Sequence, residues 1–234
     1  MRRLAATLQW DMKLQIRHGF YYAVVFVALI LVLVLIQLPE TALRNIVPAL
    51  LIENMVVTTF YFIGGQVLLE KNEGSLEAQV ITPLRIDEYL LSKTGSLSLL
   101  ALIETLVIVV LSTGLNFKML PLLGGVLLLG GMYCLYGFWV VARYDSINEY
   151  LMPSILYTLG FSVPMLDHFG LVKSWLFYLH PVQAPLVLMR SAFTAVQPWE
   201  VIYGVLYASL WVGLIYLAAH KAFYRFVVRK EGVK

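Results

Sequence analysis

The chain has 234 residues, of which 60% are hydrophobic and 13% charged, and a formal charge of +3. Soluble domains keep about a quarter of their residues charged, so this composition excludes a wholly water-solvated surface. The Lys and Arg residues form short caps between apolar runs rather than a basic face, which argues against a nucleic-acid partner, and a single cysteine, Cys134, excludes an intrachain disulfide or a thiolate metal cluster.

In chain order, residues 1–19 come first, reading MRRLAATLQWDMKLQIRHG. Leu4, Leu8, Met12 and Ile16 recur every four residues, while Arg3, Lys13 and Arg17 lie off that stripe. This pattern predicts an amphipathic helix lying in the membrane interface. Six apolar runs follow, at 20–38, 47–69, 94–115, 119–142, 151–166 and 201–219. A membrane-crossing helix needs about 20 apolar residues, so the expected fold is all-α with six transmembrane helices. The fifth run covers only about 24 Å against a hydrocarbon core of about 30 Å. Its neighbour is the long apolar connection 167–200, expected to form an outer re-entrant helical hairpin that completes the span. With the N-terminus inside, thirteen Lys and Arg residues fall on the cytoplasmic side and four (Arg44, Lys118, Lys173, Arg190) on the other. Both termini, including the tail 220–234, are then cytoplasmic.

Between the second and third runs lies a polar insert, 70–93. It carries Glu70, Lys71, Glu73, Glu77, Arg85, Asp87, Glu88 and Lys93. Gly74 interrupts the helix leaving the second run. Leu76 and Val80 then share one face of a short helix, Thr82 is suited to N-cap a new one, and Pro83 to its first position. Ile81 and Ile86 are placed as a hydrophobic staple across that cap. A charged helix–corner–helix elbow of this kind is what a membrane protein presents to a soluble partner.

Within the runs, three features stand out. Glu104 lies near the middle of the third; a charge there costs about 2.5–3.5 kcal/mol on insertion scales, so it either serves a substrate path or gate, or bonds between helices. In the fourth run the pairs Gly124/Gly131 and Gly130/Gly137 are seven residues apart and mark a packing face within or between subunits. Tyr203, Tyr207 and Trp211 in the sixth form a ladder that either lines a path or packs. Catalysis finds little support. There is no H-E-x-x-H metal motif and no G-x-x-x-x-G-K-[ST] loop, and His168, Asp167 and Ser162 make no recognisable catalytic spacing.

The elements Glu70-x-x-x-Gly74-Ser75-x-Glu77, Thr82-Pro83 and Glu88-x-x-x-x-Lys93 resemble the inner loop of type-2 ABC exporter permeases, and among these the permeases of fluoroquinolone export. Residues 178–193 resemble that family's proline, apolar helix and arginine before the last span, although His180 stands where the family often has Asn. The resemblance implies a cytoplasmic coupling helix that docks on a separate ABC ATP-binding subunit through Glu70, Glu73, Gly74, Ser75, Leu76, Glu77, Val80, Thr82 and Pro83. It implies that ATP and Mg are bound by that partner, with no cofactor in this chain. It also implies a second permease copy or paralogue, a bacterial or archaeal cell membrane, and outward movement of a hydrophobic or amphipathic substrate. The alternatives are a non-ABC carrier or scaffold, or an intramembrane enzyme.

Overall fold

The computed structural model describes residues 2–76 and 85–228, so Glu77, Val80, Thr82 and Pro83 of the elbow lie outside the described residues. Those described are helical throughout, without strands. Helix α1 (Arg2–Arg17) meets α2 (Phe20–Leu35) at a 66° bend. Gly19 makes the bend with φ +82°, and no neighbouring atom would meet a Cβ there. Its left-handed backbone, rather than crowding, is what calls for glycine.

Helices α3 (Glu40–Met55) and α4 (Phe62–Asn72) form one rod with an intervening π-helical stretch, Val56–Tyr61. Helix α5 (Ile86–Thr113) returns, α6 (Met119–Val141) crosses again, and α7 (Ile147–Phe161) runs into the short α8 (Met165–His168). A 3₁₀ turn (Trp175–Leu179) and α9 (Gln183–Phe193) precede the long α10 (Pro198–Phe223). The ends are set locally. Ser146 accepts from the Glu149 N–H to open α7, Pro198 takes the first turn of α10, and Glu200 accepts from the Gln197 N–H at 2.8 Å. Helix α5 is N-capped at Arg85, whose N–H donates to Glu88 at 3.0 Å. The capping carboxylate three residues inside the helix fixes that start, while the cap expected at Thr82 lies outside the described residues.

Among the described residues four helices are long and apolar enough to cross a membrane: Glu40–Asn72, Ile86–Thr113, Met119–Val141 and Pro198–Phe226. The bent pair α1–α2 makes a fifth candidate. The chain is therefore a multi-pass membrane protein. Six spans are expected from the apolar runs, the fifth too short to cross unaided, and the 151–166 run indeed forms no single helix of spanning length. Helix α7 covers about 22 Å at 1.5 Å per residue, and a turn at Ser162–Pro164 ends it.

Helix α6 is central, packed against α5, α9, α10 and the π-helical stretch. Its glycines permit this. A Cβ at Gly137 would lie 2.5 Å from Ile63 Cγ2 and 2.6 Å from the Phe60 carbonyl, and one at Gly125 would lie 2.6 Å from Met189 Cγ. At Gly130 the Ser98 hydroxyl stands 3.0 Å away. Gly131 would meet only the Thr94 methyl at 3.9 Å, and Gly124 faces open space. Close packing inside the chain thus rests on Gly125, Gly130 and Gly137, not on the 124/131 pair.

Candidate functional site

The densest polar constellation joins α1 to both flanks of the polar insert. Lys93, on the first turns of α5, is 1% exposed. Its ammonium donates to Asp11 of α1 at 2.5 Å and, in a shorter contact, to Glu70 at the end of α4. Ser92 donates to the second Asp11 oxygen, and Tyr89 to the second Glu70 oxygen at 2.9 Å. All four carboxylate oxygens therefore accept a hydrogen bond, the condition under which buried charges are tolerated. One turn deeper, the Gln15 amide donates to the Ser96 hydroxyl at 2.8 Å and approaches Gln66 at 3.5 Å. The cluster clamps α1, α4 and α5 together where the elbow leaves and re-enters.

Further ties extend from the same end. Lys71 donates to the carbonyls of Ala142 (3.2 Å) and Tyr144 (2.6 Å) in the α6–α7 turn, and pairs with Asp145 at 3.6 Å. The Tyr216 hydroxyl of α10 donates to Asp87 at 2.6 Å, with His220 3.6 Å from the same carboxylate.

Asp11 and Gln15 carried no role in the sequence reading, which took 4/8/12/16 as the significant face of α1. In the structure Asp11, Leu14 and Gln15 are the buried face, and Ile16 is half exposed. The inward face of an amphipathic helix is here partly polar because Lys93 and Ser96 await it. Sequence spacing carried a signal: Asp11/Gln15, Gln66/Glu70, Tyr89/Lys93 and Ser92/Ser96 are all four apart, so each helix presents a polar pair on one face.

The expected partner-binding residues divide accordingly. Glu73 and Gly74 lie at the surface, Ser75 donates to the Glu70 carbonyl at 3.2 Å, and Gly74 turns the chain with φ +68°. Glu70 and Leu76 are buried, each 3% exposed. Glu70 is thus committed to the clamp and Leu76 to the core.

A second site surrounds Glu104, which is 3% exposed. Thr58 of the π-helical stretch donates to its Oε2 at 2.6 Å, and the Asn54 amide, one turn earlier on the rod, faces the same carboxyl. Glu104 lies on the wall of a groove of about 160 Å³ between α2 and α5, lined chiefly by Val24, Ala28, Leu29, Leu100 and Val107.

The ladder in α10 is real but anchored. Tyr203 and Tyr207 stack at 5.3 Å, and Tyr207 meets the Trp211 ring edge-on at 6.3 Å. The Tyr203 hydroxyl donates to the Tyr178 carbonyl (2.6 Å) and that of Tyr207 to Leu179 (2.7 Å), so both pin the 3₁₀ turn of the 167–200 connection. Nearby, Arg190 and Tyr178 both donate to Glu200, at 2.9 and 3.0 Å.

The residues weighed for catalysis are engaged separately. His168 Nε2 donates to the Asn45 carbonyl at 2.7 Å, Asp167 accepts from Gln183 at 2.9 Å, and Ser162 donates to the Thr158 carbonyl. Burial holds the His168 imidazole below its ordinary pKa, which favours the neutral ring that this donor geometry uses. Among the described residues no group of His, Cys, Asp and Glu is placed to hold a metal ion.

Long apolar helices, a polar clamp confined to one end and a lone carboxyl at mid-depth define a helical membrane protein built around a charged, anchored loop. The chain belongs to the fluoroquinolones export permease protein family, whose model matches residues 2–231. It is a membrane permease of an export system. Two relatives from Mycobacterium tuberculosis, the fluoroquinolones export permease proteins of strains CDC 1551/Oshkosh and H37Rv, are each 33% identical over 236 residues, covering all of both chains.

Proposed function

We propose that this chain is the membrane-spanning subunit of an ABC-type exporter, paired with a second permease copy or paralogue and driven by two separate ATP-binding subunits that hold ATP and Mg. The observation that carries the reading is the clamp. The two flanks of the insert, Glu70 and Lys93, are bonded to each other, and Lys93 also to Asp11 of α1. A push on the elbow from a soluble subunit would then move α1, α4 and α5 as one body instead of bending a loop. In this reading Glu73, Gly74, Ser75, Glu77, Val80, Thr82 and Pro83 form the docking surface, and Glu70 and Leu76 support it from within.

The Lys and Arg distribution supports a cytoplasmic insert and cytoplasmic termini. Six passes follow if α2 crosses alone, with α1 in the interface, and if the outer connection 167–200 completes the short fifth. The relatives' name supports an aromatic, drug-like cargo moved outward through the seam between permeases.

The test is purification of the tagged chain from its native membrane in mild detergent. An ATPase subunit in equal amount, lost on Glu73→Lys or Glu77→Lys but retained in Glu149→Lys, is the expected result. A folded permease that never carries a nucleotide-binding chain, under conditions that preserve known transporter complexes, refutes the reading and favours a carrier without an ATPase. Leu76→Asp is a poor probe because it places a charge in the core.

A further inference from the structure

A recess of about 510 Å³ opens between the last turns of α6 and α10, at the end of the molecule that carries the clamp. Three cations line it: Arg143, two residues past α6, and Lys221 and Arg225, four apart on α10 and on the π-helical turn Tyr224–Val228 that continues it. Ala218 and Ala222 offer only methyl groups, which leaves the space open, and Trp139 and Phe226 supply aromatic walls packed on the core. The Arg143 guanidinium lies over the Trp139 ring at 4.2 Å, and that of Arg225 over Phe226 at 5.2 Å. Among the described residues none of the three cations joins an ion pair. Carboxylates at this end are engaged elsewhere: Asp145 with Lys71, Asp87 with Tyr216 and His220, and Asp11 and Glu70 with Lys93. Cations near helix C-termini complement the helix dipole, but that accounts for a charge at each helix end, not for three gathered around one recess.

We infer that the recess binds the headgroup of an anionic phospholipid, with its phosphate among Arg143, Lys221 and Arg225 and an acyl chain running along α10. Charge complementarity selects an anion, because three like charges around one space repel until an opposite charge enters. The guanidinium forks match phosphate oxygens in particular. Position selects a lipid. Trp139 and Ala218 belong to the segments long and apolar enough to cross the membrane, so the recess straddles the edge of the bilayer. Leu210 and Leu214 continue the Ala218 and Ala222 stripe toward the bilayer centre and are exposed, which gives the acyl chain its track. A free phosphate would meet the cations and leave the apolar half unused. A zwitterionic headgroup would bring its own cation to a site that already holds three. Basic recesses between membrane helices on the cytoplasmic side are where anionic headgroups bind, and the Lys and Arg distribution puts the clamp end on that side. Such a lipid would bridge α6 and α10 next to the Lys71 and Tyr216 ties that join them to α4 and α5. Binding needs neither a partner subunit nor the exporter reading.

The experiment uses the full chain in mild detergent, supplied with equal amounts of dioleoylphosphatidylglycerol and dioleoylphosphatidylcholine, with bound lipid counted by native mass spectrometry. One phosphatidylglycerol per chain is expected, retained at least fivefold over phosphatidylcholine. Lys221→Gln/Arg225→Gln, at exposed positions, should lower that preference to twofold or less. Lys13→Gln/Arg17→Gln removes the same charge from exposed positions on α1 and should leave the preference unchanged. Ala218→Leu fills the recess without altering a charge and should weaken retention of the lipid at least fivefold; if it fails to fold, the charge variants decide. Equal retention of the two lipids overturns the proposal. So does an equal loss in both double variants, which would reduce the preference to overall charge. Millimolar inorganic phosphate should displace no more lipid than chloride of the same ionic strength; full displacement would assign the recess to a free anion and overturn the lipid. A Lys221→Gln/Arg225→Gln chain that keeps its phosphatidylglycerol but loses a co-purifying ATPase subunit would also overturn it, by assigning the cations to that subunit.

Discussion

Replacing Lys93 with Met tests whether the clamp holds α1, α4 and α5 together. The substitution keeps length and apolar stem but removes the ammonium that both Asp11 and Glu70 accept from. Two carboxylates then face each other in a buried site with only Ser92 and Tyr89 as donors. Breaking a buried charge pair by removing one partner costs about 3–5 kcal/mol. At roughly 2–4 °C per kcal/mol for a chain of this size, the Tm should fall by about 6–20 °C. The assay is thermal unfolding of the purified chain in detergent, alongside limited proteolysis after Arg17, because loss of the clamp should free α1 before the bundle melts. The triple variant Asp11→Asn/Glu70→Gln/Lys93→Met has no unpaired charge and should recover much of the loss. A Lys93→Met chain with unchanged Tm and a protected α1, or a triple variant no better than the single one, would refute the reasoning.

Gly137→Ala should cost at least the upper end of the 1–3 kcal/mol typical of overpacking, since its Cβ would press on the Phe60 carbonyl at 2.6 Å; Gly124→Ala, in open space, should leave Tm unchanged. Similar losses at both positions would contradict the packing described. Tyr207→Phe should cost about 0.5–1.5 kcal/mol for the lost bond to Leu179 and leave export intact; impaired export at unchanged Tm would instead make the ladder part of the path. His168 has a folded pKa lowered by burial, so the unfolded chain takes up the proton first as pH falls. Its contribution is complete above the ordinary value of 6.5 and is lost progressively as pH drops below it toward the folded value. The Tm should therefore fall between pH 7 and 5, and less steeply in His168→Gln, whose amide can still donate to the Asn45 carbonyl; equal slopes would refute this.

Helix existence was legible because runs of apolar residues of spanning length admit little else in lipid. The charged insert stood out for the same reason, and so did Glu104. What composition could not show was where the insert's charges point. Glu70 and Lys93 read as solvated members of a charged loop, and only the fold reveals that they belong to helix ends facing Asp11, more than fifty residues away in sequence. Glycine spacing likewise identified α6 as a packing helix but not the register of contact, because that depends on where α4 and α9 lie. Gly125 became visible as a contact only against Met189. The fifth run was legible as a short helix from its length, but hydropathy does not register the turn at Ser162–Pro164 that divides α7 from α8.

The departure of the α3–α4 rod from α-helical geometry and the position of Glu104 have a common physical origin. Thr59 turns its hydroxyl onto the carbonyl of Met55 (2.5 Å), competing with the regular backbone bond there. The Phe60 carbonyl accepts from the Tyr150 hydroxyl of α7 at 3.2 Å, a contact from outside the rod. Irregular backbone at membrane depth is tolerated only where protein covers it, and Val56, Thr58, Thr59 and Phe60 are all buried. The cover is supplied by α6, which reaches Phe60 only because residue 137 is glycine. Thr58 instead gives its hydroxyl proton to Glu104, so the carboxyl stands opposite the stretch of the rod whose hydrogen bonds are shared with side chains. Such stretches bend more readily than regular helix. The clamp at Glu70 holds the far end of the same rod, and any displacement imposed there reaches the softer turn first, beside the one acidic group on the groove wall.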